Sequence, residues 1–181
     1  MEAKKNEIFQ GAQKSLISDI KQFLDEALVI KAKDKPELRK EVSRNYGKFK
    51  ILAVQGSNDE VNRAAVEDKK VDILLNPEIE RTYDFSDWRN SGLNDVLCKL
   101  ASQNDVAIGI DVSILPEERF ARAERIGRIM QNIRLCRKFK TKIFIFSGKN
   151  ELNEHDLRSI ALTLGASTQQ ADESLSFSKK K

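Results

Sequence analysis

Between Val71 and Gly148 the chain repeats one pattern: a short apolar run, a polar turn, a longer charged segment with helical spacing, and the next apolar run. Val71–Leu75, Val106–Ile110 and Lys142–Phe146 are three such runs, and Leu28–Lys31 with Ile51–Val54 adds two more upstream. Runs this short, apolar at successive positions, suit strands buried on both faces. Such strands belong to a parallel sheet, whose neighbours are joined by long right-handed crossovers. The expected fold class is therefore α/β, with five strands in either an open parallel sheet or an incomplete barrel. In both, ligands and partners gather at the carboxyl ends of the strands. Those ends are Lys31, Gln55-Gly56-Ser57, Asn76-Pro77-Glu78, Asp111 and Ser147-Gly148-Lys149.

The intervening segments carry helical signals. Asp34 can cap a helix with Pro36 in its first turn, inner positions Leu38, Val42 and Tyr46, and a stop at Gly47. Residues 59–67 place Val61, Ala64, Ala65 and Val66 in a short helix, and residues 92–104 align Leu93, Val96, Leu97 and Leu100. Pro116 opens the longest helix, running to about Lys140, with Ala123, Ile126, Ile129, Met130 and Ile133 on one stripe. A last helix spans 154–164 and stops at Gly165. Residues 1–27 are expected to form a helical segment packed on the domain, residues 28–171 the α/β domain, and residues 172–181 a disordered basic tail. Residues 76–90 read as a long polar loop holding the only tryptophan, Trp88.

The apolar runs are far shorter than the roughly 20 residues that span a bilayer, and no apolar signal segment follows Met1, so a soluble cytoplasmic protein with no membrane contact is expected. Cys98 and Cys136 read as reduced core cysteines. His155 is the only histidine, which excludes a multi-histidine metal centre and a Ser-His-Asp set elsewhere. Neither a Walker phosphate loop nor G-x-G-x-x-G occurs. Ser147-Gly148-Lys149 reads either as a phosphate-holding turn or as a simple strand-to-helix connection. A carboxylate-only metal site of Glu78 and Asp111 stays open. Beyond it, the expectation is no catalytic residue, no metal ligand and no bound cofactor.

Charge gives a better lead. The whole chain is +4, yet residues 31–50 and residues 116–140 each carry eight Lys or Arg against three Asp or Glu, so the remainder is acidic. Arginine outnumbers lysine six to two in the second segment. A guanidinium pairs with phosphate through two bonds, and arginines on a rigid helix can follow an RNA backbone without reading sequence. Aromatic residues are sparse, so stacking on single strands is not suggested. The competing reading is a solvated helix with internal pairs such as Glu118 with Arg122 and Glu124 with Arg128.

Several short segments follow one another along the chain: Val61-Asn-Arg-Ala-Ala-Val-Glu67 with Val71-Asp-Ile-Leu74, Ser91-Gly92-Leu93 with Val96-Leu97 and Lys99-Leu100, and Val106-Ala-Ile108. Ala121-Arg-Ala123 through Leu135-Cys-Arg-Lys-Phe139, then Ser147-Gly148, Asp156-Leu157 and Leu164-Gly165, complete the set. In combination and order they resemble protein component 3 of archaeal ribonuclease P and the roughly thirty-kilodalton subunit of eukaryotic RNase P and RNase MRP. The resemblance implies a TIM-barrel-like (β/α) fold related to the polymerase and histidinol phosphatase superfamily, abridged here and without that superfamily's metal centre. Two positions depart from the family pattern: Asn94-Asp95 stands for Asp-His, and Leu152-Asn-Glu-His155 stands for Arg-x-Pro-Arg.

It also implies a protein subunit of the ribonuclease P ribonucleoprotein, supporting Mg²⁺-dependent, RNA-catalysed removal of the 5′ leader from precursor tRNA. The implied partners are RNase P RNA, the Pop-five-type subunit, other RNase P proteins and, indirectly, precursor tRNA. Arg122, Arg125, Arg128, Arg134, Arg137 and Lys138, followed by Arg63 and Lys149, are the expected contacts to RNA or partner. Two alternatives stay open: a metal-dependent phosphoesterase using Glu78 and Asp111, and a protein-only scaffold.

Overall fold

The computed structural model describes residues 27–149 and 152–177. Strands β1 (Ala27–Ile30), β2 (Ile51–Gln55), β3 (Ile73–Leu75), β4 (Ala107–Asp111) and β5 (Ile143–Phe146) lie side by side in chain order, all parallel. The register sets Ala53 beside Ile73, Ile73 beside Ala107, and Ile108 beside Ile143. Among the described residues β1 and β5 do not pair, so the sheet is an open arc of a (β/α) barrel. The abridged barrel expected from the sequence is what forms.

When every crossover turns the same way, all helices fall on one face. The helices are α1 (Lys35–Asn45), α2 (Asp59–Glu67), α3 (Asp95–Asn104), α4 (Arg119–Phe139), α5 (Glu154–Thr163) and α6 (Thr168–Glu173). Leu52, Val54, Leu74, Ile108, Ile110 and Ile145 point from the sheet into that layer. They meet Val42 of α1, Val61 of α2, Cys98 of α3, Ile129 and Ile133 of α4, and Leu157 of α5. Each such buried aliphatic side chain stabilises the fold by about 1.5–3 kcal/mol. Ile51, Ala53, Ile73, Leu75, Ala107, Phe144 and Phe146 form a second cluster on the other face of the sheet.

Helix starts follow the sequence. Asp34, Asn58, Asn94 and Asn153 accept hydrogen bonds from the free N–H groups of α1, α2, α3 and α5. Such caps contribute about 1 kcal/mol each. Two expectations change. The longest helix begins at Arg119, not Pro116, because residues 112–114 form a tight 3₁₀ turn and the Glu118 carboxylate then caps Phe120 and Ala121 N–H. Tyr46 and Val96 face solvent, at 56% and 54% exposure, instead of filling the core.

The carboxyl-terminal boundary also needs correcting. Residues 172–177 are anchored on the domain through Ser174, Leu175 and Phe177, with Asp172, Glu173 and Ser176 exposed, and do not start a disordered tail at 172. Ser174 and Leu175 are buried, Ser174 O accepts the β5 amide of Ile145, and Phe177 lies 6.0 Å from the Phe144 ring. The cause is an unpaired β5 edge that needs backbone partners. Residues 178–181 and the expected amino-terminal helix up to residue 26 lie outside the described residues, and Ala27 belongs to β1.

Candidate nucleic-acid interface

Helix α4 has two working stripes. Ile126, Ile129, Ile133 and Cys136 pack on the sheet, and beside them Arg125, Arg128, Gln131 and Asn132 hold the loop between β3 and α3. Both stripes follow helical spacing. The arginines at three-residue intervals are therefore divided between two jobs.

Arg125 and Arg128 point inward. Arg125 Nε and Nη2 both donate to Glu78 Oε1 at 3.1 Å, and Nη1 donates to Ile114 O at 2.7 Å. The Glu78 side chain is fully buried and that of Arg125 is 12% exposed. Burial pushes the Glu78 carboxyl above its usual range, and the Arg125 charge and a bond from its own backbone oppose the rise. Arg128 Nε donates to Asp84 Oδ1 at 2.8 Å and Nη1 to Arg81 O at 2.7 Å. Asp84 also takes Arg89 Nη1 at 2.8 Å and Asn90 N–H at 2.9 Å. Partial burial alone would raise the Asp84 carboxyl, and the Arg128, Asn90 and Arg89 bonds outweigh it and hold it below the usual range. Arg125 and Arg128, expected as contacts to RNA or partner, are thus both engaged with the chain's own loop. Their guanidiniums are enclosed, and a phosphate would have to displace a carboxylate already in place.

Other buried polar groups finish the clamp. Asn62, with no exposed surface, accepts from Ser57 N–H and donates to Pro77 O and Gly92 O. Gln131 exchanges bonds with the Arg89 backbone, and Asn132 donates to Ser91 O at 2.9 Å. Gly92 sits at φ +76°, where an added Cβ would meet Pro77 O at 1.9 Å. Arg81 Nη1 reaches Asp59 at 2.6 Å, tying the loop to α2 as well.

The remaining basic candidates are exposed. Arg122 donates to Pro116 O and Glu117 O, so it braces the start of α4. Arg134 makes no hydrogen bond or ion pair among the described residues. Among the described residues Arg137 bonds only Gly165 O, at 3.2 Å, and Lys138 pairs with Asp95 at 2.8 Å with both side chains more than half exposed. Arg63 pairs with Glu67 on α2, and Lys149 stands at the far end of β5. The surface around α4 thus brings Arg134, Arg137 and Lys138 together and leaves Arg63 and Lys149 on other elements. The pair Glu118–Arg122 does not form, and Glu124 reaches Arg128 Nη2 only at 3.7 Å.

At the carboxyl ends of the strands the polar groups are engaged with one another. Asp111 Oδ1 accepts from Ser113 N–H, Ser113 Oγ and Gly148 N–H, and Asn76 Oδ1 accepts Asp111 N–H. Gly148 N–H therefore faces a carboxylate, the opposite of a phosphate cradle. Among the described residues no three His, Cys, Asp or Glu side chains converge as a metal site. No helix of the described residues is long and apolar enough to cross a membrane. Sequence reasoning missed Asp84, Arg89, Asn62 and Asn132. Their only sequence signal is the acidic pair Glu78 and Asp84 in a loop that lies opposite Arg125 and Arg128 once folded.

The family model described as RNase P subunit p30 matches residues 22–180. A ribonuclease P protein component 3 from Methanococcus maripaludis is 31% identical over 126 residues, covering 69% of this chain and 52% of the relative. One from Methanosarcina mazei is 37% identical over 123 residues, covering 65% and 47%. The chain spans about half the length of these curated relatives. A chain in a cryo-EM structure of archaeal ribonuclease P with mature tRNA superposes with a TM-score of 0.69 at 31% identity, over 81% of this chain and 62% of that one. A crystal structure of an uncharacterised protein shares the fold alone, with a TM-score of 0.56 at 12% identity, over 92% of this chain and 45% of that one.

Proposed function

This chain belongs to the RNase P subunit p30 family, and on that premise we propose that it is a protein subunit of a ribonuclease P ribonucleoprotein supporting removal of the 5′ leader from precursor tRNA. The observation that carries this reading is the carboxyl-terminal two-thirds of α4. From Arg125 to Lys140 the sequence has six Arg or Lys and no Asp or Glu. Arg134, Arg137 and Lys138 stand exposed on a helix that buried ion pairs hold still. The planar guanidinium fork loses little entropy per hydrogen bond to phosphate, and the counterions released from RNA favour the complex.

In this account RNase P RNA, with its own Mg²⁺, performs the cleavage. The chain supplies positioning and charge and no catalytic residue. Arg134, Arg137 and Lys138 contact RNA phosphates, with Arg122, Arg63 and Lys149 as flanking contacts to RNA or partner. Arg125 and Arg128 act as positioning residues by fixing the loop against α4. A Pop-five-type subunit and other RNase P proteins complete the assembly, and precursor tRNA is engaged indirectly.

The test is reconstitution of precursor-tRNA cleavage from RNase P RNA and the partner subunits, with this chain added or omitted. The expected result is a marked loss of cleavage on omission, restored by adding the chain. Equal cleavage with and without it would refute the assignment. Incubating the chain alone with Mn²⁺ or Mg²⁺ and a generic phosphodiester checks the phosphoesterase alternative, and no turnover is expected.

A further inference from the structure

Three large aromatic side chains stand together in water on the loop that α4 clamps. Tyr83, Phe85 and Trp88 are 61%, 45% and 59% exposed. Tyr83 meets Phe85 edge-on at 5.6 Å, and Phe85 and Trp88 lie 5.1 Å apart with rings tilted by 47°. The turn carrying them is closed by Phe85 N–H donating to Trp88 O at 2.9 Å, and Asp84 inside it is held by Arg89 and Arg128. The shelf is therefore preformed, with Tyr83 and Trp88 more than half exposed at its two ends.

Beside it lies a cavity of about 470 Å³, bounded by Phe85, Trp88, Arg89, Gly127, Gln131 and Arg134 among others. Gly127 shapes its floor: a Cβ there would stand 2.4 Å from Arg89 Nε, so the glycine lets Arg89 lie flat across α4. At the rim, Arg134 has no hydrogen-bond or ion-pair partner among the described residues. Asp87 also borders the cavity and repels an anion from its own side, which leaves Arg134 as the place for one.

We infer that this shelf takes one unpaired nucleotide of RNA, its base stacked on Trp88 with Phe85 against its edge, and its phosphate on Arg134. The inference rests on the reading of the chain as an RNA-bound subunit and adds a contact of a different kind. An exposed aromatic cluster next to a guanidinium without an ion-pair partner among the described residues matches a ligand that is both aromatic and anionic. A duplex offers the phosphate and withholds the base. An apolar protein anchor fills the rings and leaves Arg134 unmatched. The sparse aromatic content of the sequence gave no reason to expect stacking; the loop concentrates three of those rings at one place.

Trp88 is the only tryptophan, so its emission reports on the shelf directly. The full chain is titrated with short single-stranded oligoadenylate and, separately, with a duplex RNA of equal length. Saturable quenching by the single strand and weak quenching by the duplex are expected. Phe85→Leu and Arg134→Ala, both at solvent-facing positions, should each raise the Kd for the single strand about fivefold or more. Their folding is checked by circular dichroism, and Trp88→Phe, measured by filter binding, should retain most of the affinity. Unchanged Trp88 emission at saturation, equal quenching by duplex, or quenching by a partner subunit without RNA would each overturn the inference. A chain that restores precursor-tRNA cleavage while Trp88 stays silent toward RNA sinks this inference alone. A chain that fails to restore cleavage sinks the parent reading.

Discussion

Replacing Arg125 by methionine tests whether the loop is held as described. The substitution keeps much of the side-chain length and removes the charge. Glu78 would remain fully buried with only the Arg128 charge, which makes no bond to it, left to favour its ionised form, since both of its contacts from Arg125 are lost, and Ile114 O would lose its donor. Breaking a buried pair from one side costs about 3–5 kcal/mol, against a total of roughly 5–15 kcal/mol for a domain. The loss should depend on pH, with a sign set by Glu78. Burial already raises its folded pKa above the ordinary value of 4.5, and removing Arg125 raises it further. A group with a raised folded pKa contributes its full stability below the unfolded pKa and loses it as pH rises through the folded value. Arg125→Met should therefore be mildly destabilised near about pH 5 and lose the full amount near about pH 7.5. Urea unfolding followed by circular dichroism at both pH values measures this, with an unchanged denaturant slope. Adding Glu78→Gln should recover all but about 1–2 kcal/mol. A loss under about 1 kcal/mol at the higher pH, or no recovery in the double variant, would refute the buried pair.

Gly92→Ala should cost several kcal/mol, because its Cβ would strike Pro77 O at 1.9 Å and the residue must keep φ +76°; thermal melting checks it. Asp84 has a depressed folded pKa, so its contribution is complete above the unfolded value near 3.8 and is lost as pH falls through the folded one. The expected readout is a shift in Trp88 emission at acid pH that precedes global unfolding, and coincident transitions would contradict it. Cys98 and Cys136 are buried and free of disulfide, and a hydrogen bond with Cys98 together with burial pushes the Cys136 thiol well up. Neither should react with a thiol reagent until denaturant is added.

The strands were readable because a strand buried on both faces has no alternation to hide, as in Ile143-Phe-Ile-Phe146. Caps were readable at Asp34 because they are local. The division of labour on α4 was not. Arg125, Arg128 and Arg134 all lie off the apolar stripe, and nothing within the helix says that Glu78 and Asp84 approach two of them across more than 40 residues of sequence. A polar stripe beside an apolar one reads equally well as a surface for RNA or as a clamp on another segment. Tyr46 and Val96 went wrong for a related reason: both keep helical spacing but sit at the edge of the packed face, and Lys70 reaches over the Tyr46 ring instead. The packed Ser174–Phe177 segment was hidden because its anchor is a backbone bond to β5, which side-chain polarity does not report.

In the proposed function Arg134, Arg137 and Lys138 meet RNA phosphates while Arg125 and Arg128 hold the scaffold. The salt dependence of binding to RNase P RNA, with the partner subunits present, separates these roles when the unaltered chain is compared with the Arg134→Ala, Arg137→Ala, Lys138→Ala triple variant. The triple variant should fold and show a slope of log K against log salt shallower by about three. An unchanged slope and affinity in that variant would contradict those roles.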